Sequence, residues 1–197
     1  MNLTINDQHE YKLGSRRIPG VTQILEEAGL SDYSHINTRD RDYYLSLGSS
    51  VDRATQLIDE ARLAAPAPGT EPWVNGYYKF CKECQYEPLE NQIMVYSKTW
   101  WFAGTADKTG RIFGKPSKTL IDVKAGSMAP HYHLQTAGYE IAYNEMNPKS
   151  PIRARYVLVL MPDDYRLIPC ESKTDHRYFK AATTVAEWRR NNGRIKK

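Results

Sequence analysis

The sequence predicts an α/β domain, a sheet with helices packed around it, and three observations carry that expectation. A chain of 197 residues with 41% apolar and 25% charged side chains is long enough to bury one hydrophobic core and short for two. Apolar residues recur at helical spacing through the first part of the chain, and from residue 90 the period becomes extended and rich in β-branched side chains. A helical stripe then returns at 131 to 146 and again near the C-terminus, which gives the order two helices, three strands, helix, two strands, helix.

Each element has its own signal. Tyr44, Leu47, Val51, Ala54, Ile58 and Ala61 follow one another at spacings of three and four, the period of one buried helical face, with Thr38 as a plausible N-cap. The Pro- and Ala-rich stretch at 64 to 72 reads as a loop. Beyond it Trp73, Tyr77, Phe80 and Cys84 form a second stripe, with Pro72 in the first turn where it is tolerated. The segments QIMVYS, WWFAGTAD with the Gly-bounded RIFG, and KTLIDVK read as three short strands. HYHLQTAGYEIAYNEM carries Leu134, Gly138 and Ile141 on a helical stripe that ends before Pro148. RARYVLVLM and YRLIPC form a hairpin closed by Pro162 to Asp164, and a final helix carries Phe179, Ala182, Val185 and either Ala186 or Trp188.

Composition excludes several classes. No apolar run approaches the length of a membrane span, mean hydropathy is −0.64, and the polar start MNLTINDQHEYK lacks a secretory signal, so a cytoplasmic protein without a membrane partner is expected. Lys and Arg number 27 against 23 Asp and Glu, a surplus that permits a polyanionic partner without requiring one. Arg189, Arg190, Arg194, Lys196 and Lys197 read as a solvated basic tail. The three cysteines, Cys81, Cys84 and Cys170, make neither a disulfide scaffold nor a four-ligand metal knuckle.

The sharpest local feature is Ile121-Asp122-Val123-Lys124. On a strand Asp122 and Lys124 share one face while Ile121 and Val123 anchor the other, so a carboxylate and an ammonium stand together in a segment that otherwise reads as interior. Such a pair needs further partners. A divalent cation on the carboxylate is one; an exposed edge strand with an ordinary ion pair is the alternative. Asp107 ends the preceding strand and Glu90 opens the one before it, so three carboxylates can converge with one lysine, a donor set that suits hard Mg²⁺ or Mn²⁺. Gln135 and Tyr139, one helical turn apart, are either a surface pair or part of the same site.

These residues resemble the PD-(D/E)xK nuclease superfamily, specifically its RecB-like and phage-type exonucleases, over most of the chain. IPGVTQIL resembles the opening segment, GSSVDRATQLIDE the helix with Gly-x-x-Val-His, FAGTADKTG the Gly-x-x-Asp strand, LIDVKAG the Asp-x-Lys strand and HLQTAGYEIA the Gln-x-x-x-Tyr helix. The resemblance implies a restriction-endonuclease-like core with a mixed central sheet of about five strands flanked by helices. It divides one domain into an N-terminal helical part, 1–86, and a catalytic core, 87–197. It implies Mg²⁺ or Mn²⁺ held by Asp107, Asp122, Glu90 and the Val123 backbone carbonyl, Lys124 orienting or deprotonating the attacking water, and Gln135 and Tyr139 steering DNA. Asp52 stands where the pattern has histidine and can still supply oxygen to the metal; His131 and His133 are further substitutes or DNA contacts.

The implied activity is an exonuclease acting on DNA ends, of the kind used in phage recombination beside a single-strand annealing recombinase, with oligomeric state left open. A structure-selective endonuclease on the same core and a DNA-binding or assembly module without turnover are the alternatives. Some members of the wider group carry an iron-sulfur cluster on four cysteines, and none is expected with three. Trp100 and Trp101 either stack on unpaired bases or pack internally.

Overall fold

The computed structural model describes residues 2–31, 38–62, 65–115 and 117–193. Its centre is a five-stranded mixed sheet in the order β4-β5-β6-β7-β8, formed by β4 (Glu87–Ser97), β5 (Phe102–Arg111), β6 (Thr119–Ala125), β7 (Ala154–Met161) and β8 (Asp164–Pro169). Only β6 and β7 run parallel, and α4 (His131–Met146) makes the crossover between them. The β7–β8 hairpin turns at Pro162 and Asp163, where Asp163 takes a left-handed φ of 56°.

Helices cover both faces. On one, α1 (Val21–Ala28), α4 and α5 (Thr174–Asn191) pack Ile24, Ala137, Tyr143 and Phe179 against Val95, Phe102, Ala106 and Leu120. On the other, α2 (Thr38–Asp59) and α3 (Glu71–Glu83) pack Leu47, Val51, Tyr77 and Phe80 against Ile121, Val123, Leu158 and Leu160. The alternation expected along β6 is therefore observed, with Leu120 on one face and Ile121 and Val123 on the other.

The N-terminal part differs from the all-helical reading. Before α1 the chain forms a three-stranded antiparallel sheet of β1 (Leu3–Ile5), β2 (Tyr11–Leu13) and β3 (Arg16–Ile18). Its core of Leu3, Tyr11, Leu13 and Ile18 docks on Ala103 of β5, and the strands are too short to show a period. β4 starts at Glu87, so Glu90 lies inside the strand, and β5 is one strand that ends at Arg111 before the rest of RIFG. Tyr44, expected on the buried stripe of α2, is 57% exposed and meets its neighbour Tyr43 edge to face, with ring centroids 5.4 Å apart.

Both tryptophans pack: Trp100 against the α1/α4/α5 core and Trp101 against the N-terminal sheet, with Arg16 stacked 4.6 Å from its ring. Arg189 and Arg190 are not solvated tail. Arg189 donates to the Glu27 carbonyl at 2.6 Å and Arg190 pairs with the Glu27 carboxylate, tying α5 to α1. The Thr38 side chain, Arg194, Lys196 and Lys197 lie outside the described residues. Among the described residues no helix is long and apolar enough to cross a membrane. Cys81 and Cys84 lie against the α2/α3 core and Cys170 in a separate cluster under β7, all as free thiols, and burial pushes the Cys81 thiol up to about 12.

Candidate active site

The site lies where β5 parts from β6. The two strands pair only at Lys108↔Ile121, Thr109↔Leu120 and Gly110↔Thr119, while β5 stays paired to β4 as far as Phe102↔Ser97. Asp107 is the first residue beyond the last β5–β6 pair, and its Oδ2 accepts the Val123 N–H at 2.8 Å in place of the missing ladder bond. A strand residue turns its N–H and C=O to the same side, so the Val123 carbonyl faces this opening too.

Asp122 is 1% exposed on the α4 face of β6. Its Oδ2 forms an ion pair with the Lys124 ammonium at 2.7 Å, and its Oδ1 has no hydrogen-bond partner. Burial foremost, with repulsion from Asp107 and Asp52 added, outweighs the attraction of Lys124 and pushes the Asp122 carboxyl up to about 7. Lys124 shows the opposite balance. Burial disfavours its charge, but Asp122 and Asp107 overcome that and hold its pKa above the ordinary lysine range. The ammonium also lies 4.9 Å over the Tyr132 ring.

Asp52 reaches the same opening from α2. Burial first, and then Asp107, push its carboxyl up to about 6 against the pull of Lys108 and Lys124. Gln92 of β4 donates to Asp52 Oδ2 at 2.8 Å, while the buried Oδ1 has no partner. Gln92 takes a left-handed φ of 49°, a backbone state that costs about 1–3 kcal/mol in a non-glycine residue. The gap between β5 and β6 thus lets groups from both faces of the sheet act on one another.

From α4, Gln135 donates to the Tyr139 hydroxyl at 3.0 Å and to Thr22 of α1 at 3.5 Å. Tyr139 is buried, which foremost raises its pKa, with the Asp122 charge adding to it. The ring crosses β5 at Gly104, where a Cβ would stand 2.6 Å from it, so only glycine permits this approach. His131 opens α4 with its ring 4.5 Å from that of Tyr132, and burial and then Lys124 lower its pKa.

Asp107, Asp122, Val123, Lys124, Tyr139 and Asp52 are therefore brought together. Glu90 is committed elsewhere: its Oε2 accepts from Tyr143 at 2.7 Å and from Thr109 at 2.8 Å, with Lys118 at 3.5 Å. Burial raises its pKa, but those hydrogen bonds and the Lys118 charge outweigh this and hold it below the ordinary range. His133 lines a groove with Leu30, Leu134 and Tyr178 at the start of α4. Gln92 was missed because nothing in its neighbourhood signals a bend in β4. The seven-residue spacing of Asp52 and Asp59 on α2 was legible as a shared face, yet no strand partner for Asp59 was.

Among the described residues no three acidic, imidazole or thiolate side chains form a ready-made metal cage. A small hard cation binds through one or two carboxylates and keeps several waters, so a full cage is not needed. The donors at the gap fit that requirement: the buried Oδ1 atoms of Asp122 and Asp52, which lack hydrogen bonds, the Asp107 carboxylate and the Val123 carbonyl are all oxygen ligands.

No protein-family model and no curated protein matches the chain. Among solved structures it is similar to a candidate exonuclease from Eubacterium rectale, at 12% identity and TM-score 0.46 over 88% of this chain and 74% of that one. It is also similar to an alkaline exonuclease from Laribacter hongkongensis, at 13% identity and TM-score 0.40 over 91% of this chain and 95% of the other.

Proposed function

We propose that the gap between β5 and β6 is the active site of a divalent-metal-dependent deoxyribonuclease that hydrolyses phosphodiester bonds at DNA ends. The observation that carries this reading is Asp122, a carboxylate buried in the sheet with Oδ2 paired to Lys124 and Oδ1 left without a hydrogen bond. Lys124 offsets the charge, and the oxygen that it leaves bare is free to accept a cation.

Asp107, Asp122 and the Val123 carbonyl, with Asp52 from the far face, are the residues to hold Mg²⁺ or Mn²⁺, which when bound acidifies a water and offsets the charge of the scissile phosphate. The Val123 N–H fixes the Asp107 carboxylate in place before any substrate arrives. Lys124, held protonated by Asp122 and Asp107, acts as a donor: it orients the attacking water and stabilises the negative charge that builds on the phosphate oxygens. Tyr139, fixed by Gln135, forms the α4 wall of the site and keeps Lys124 in a low-dielectric setting.

The reading is tested with a labelled linear duplex and a closed circle, each in Mg²⁺ and in EDTA. Mg²⁺-dependent loss of the linear form alone is expected. Cleavage of both forms would make the enzyme an endonuclease, and binding without cleavage would remove the catalytic assignment.

A further inference from the structure

Two adjacent residues of β5 face two carboxylates of α2. Asp52 is hydrogen-bonded to Gln92 of β4 at 2.8 Å, within electrostatic reach of the Asp107 carboxylate, which repels it. Lys108, the neighbour of Asp107, is 1% exposed, with its ammonium 2.6 Å from Asp59 Oδ2, 2.9 Å from Asn91 Oδ1 and 5.2 Å from the centre of the Tyr77 ring. Asp59 is as deeply buried, and its other oxygen accepts the Tyr77 hydroxyl at 2.6 Å. The pair is thus dry and hydrogen-bonded on both sides, whereas Leu47 and Val51 of α2 meet the sheet through apolar contacts that tolerate sliding, and the Gln92–Asp52 hydrogen bond ties α2 to β4 rather than to β5.

Asp52 and Asp59 lie seven residues apart, on one side of α2 and about 10 Å from each other along its axis. We propose that the Lys108–Asp59 ion pair is a clamp that holds α2 in register on β5, so that Asp52 stays beside Asp107 despite their mutual repulsion. Lys108 and Asp59 are then positioning residues, acting on the site through Asp52. The inference rests on the reading of the gap as a metal site. A buried ion pair adds little net stability over apolar residues of the same size, but it defines one geometry, and a shift of α2 by one residue breaks its hydrogen bonds together.

The test uses the full chain carrying Lys108→Met with Asp59→Leu, which removes both charges and leaves neither unpaired, made with and without Asp52→Asn. Mn²⁺ affinity is measured by calorimetry and α2 amide exchange on the metal-free protein. The expected result is about tenfold weaker Mn²⁺ binding where Asp52 is present and no further loss where it is Asn, with faster exchange in α2 and unchanged exchange in α4. Equal losses in both backgrounds, or no loss in either, would overturn the proposal. Tyr77→Phe, which removes one hydrogen bond from Asp59, provides a milder variant should the double replacement fail to fold, and the same dependence on Asp52 is required of it. Wild-type protein that bound no Mn²⁺ would defeat the metal reading instead, and unchanged α2 exchange would then still overturn the clamp.

Discussion

Neighbouring strands carry two buried lysine–aspartate pairs that differ in two respects. Lys108 and Asp59 approach to 2.6 Å, and Lys124 and Asp122 to 2.7 Å. The first pair is enclosed by Asn91 and Tyr77, so its hydrogen-bonding capacity is used. The second leaves Asp122 Oδ1 without a hydrogen bond and a lysine side chain 20% exposed. The charges and the burial of the two aspartates are matched, so neither separates the pairs; the exposure of the lysine and the bare carboxylate oxygen do.

The largest expected effect comes from breaking the open pair. Lys124→Ala should lower the rate of DNA hydrolysis by about a thousandfold, equivalent to about 4 kcal/mol in the barrier, while Mn²⁺ binding persists. Asp122→Ala should abolish both. Single-turnover cleavage together with calorimetry checks the contrast, and near-normal turnover of Lys124→Ala would remove its assigned role.

The closed pair should respond in stability. Lys108→Met alone strands the Asp59 charge in the core and should cost about 3–5 kcal/mol in urea unfolding, whereas adding Asp59→Leu should restore most of that loss. If the single and double replacements were equally damaging, the pair would be acting through packing rather than charge.

A pH series sharpens the same contrast. The folded protein keeps protons on Asp52 up to about 6 and on Asp122 up to about 7, above the ordinary aspartate value of 3.8. Their contribution to metal-free stability is therefore present in acid and is lost as pH rises through those values. A divalent cation needs the same oxygens ionised. The rise in melting temperature given by excess Mg²⁺ should be small at about pH 5 and grow toward about pH 8. A shift independent of pH would place the cation on other groups.

The smallest effect is expected from Asp52→Asn. Removing a charge disfavoured by burial and by Asp107 should stabilise the metal-free protein by about 1 kcal/mol at neutral pH while weakening metal binding. Thermal unfolding in EDTA checks the sign.

Much of this was legible in the sequence because it depends on local period. β6 and β7 repeat their apolar spacing in burial, and the Asp-x-Lys alternation of β6 placed two site residues on one face. Of the α5 stripe Phe179, Ala182 and Ala186 are buried while Val185 and Trp188 are exposed, and α4 buries Ala137, Tyr139, Ala142 and Tyr143 with Leu134 and Ile141 only half-buried. What escaped depends on tertiary approach. Three-residue strands carry too little pattern to announce the N-terminal sheet, and the left-handed turn at Gln92 has no glycine to mark it. Glu90 reads as a ligand from its place in the strand order, yet Tyr143 and Lys118, distant in the chain, engage it elsewhere.

The parting of β5 from β6 leaves the proposed chemistry dependent on strand alignment. The Asp107 carboxylate is flanked in the chain by the methyl of Ala106 and the ammonium of Lys108. Sliding β5 by a single position would therefore deliver a side chain with no charge, or with the opposite one, to the Val123 amide. Any binding event that strained that alignment would disable the proposed site without touching one of its reactive groups.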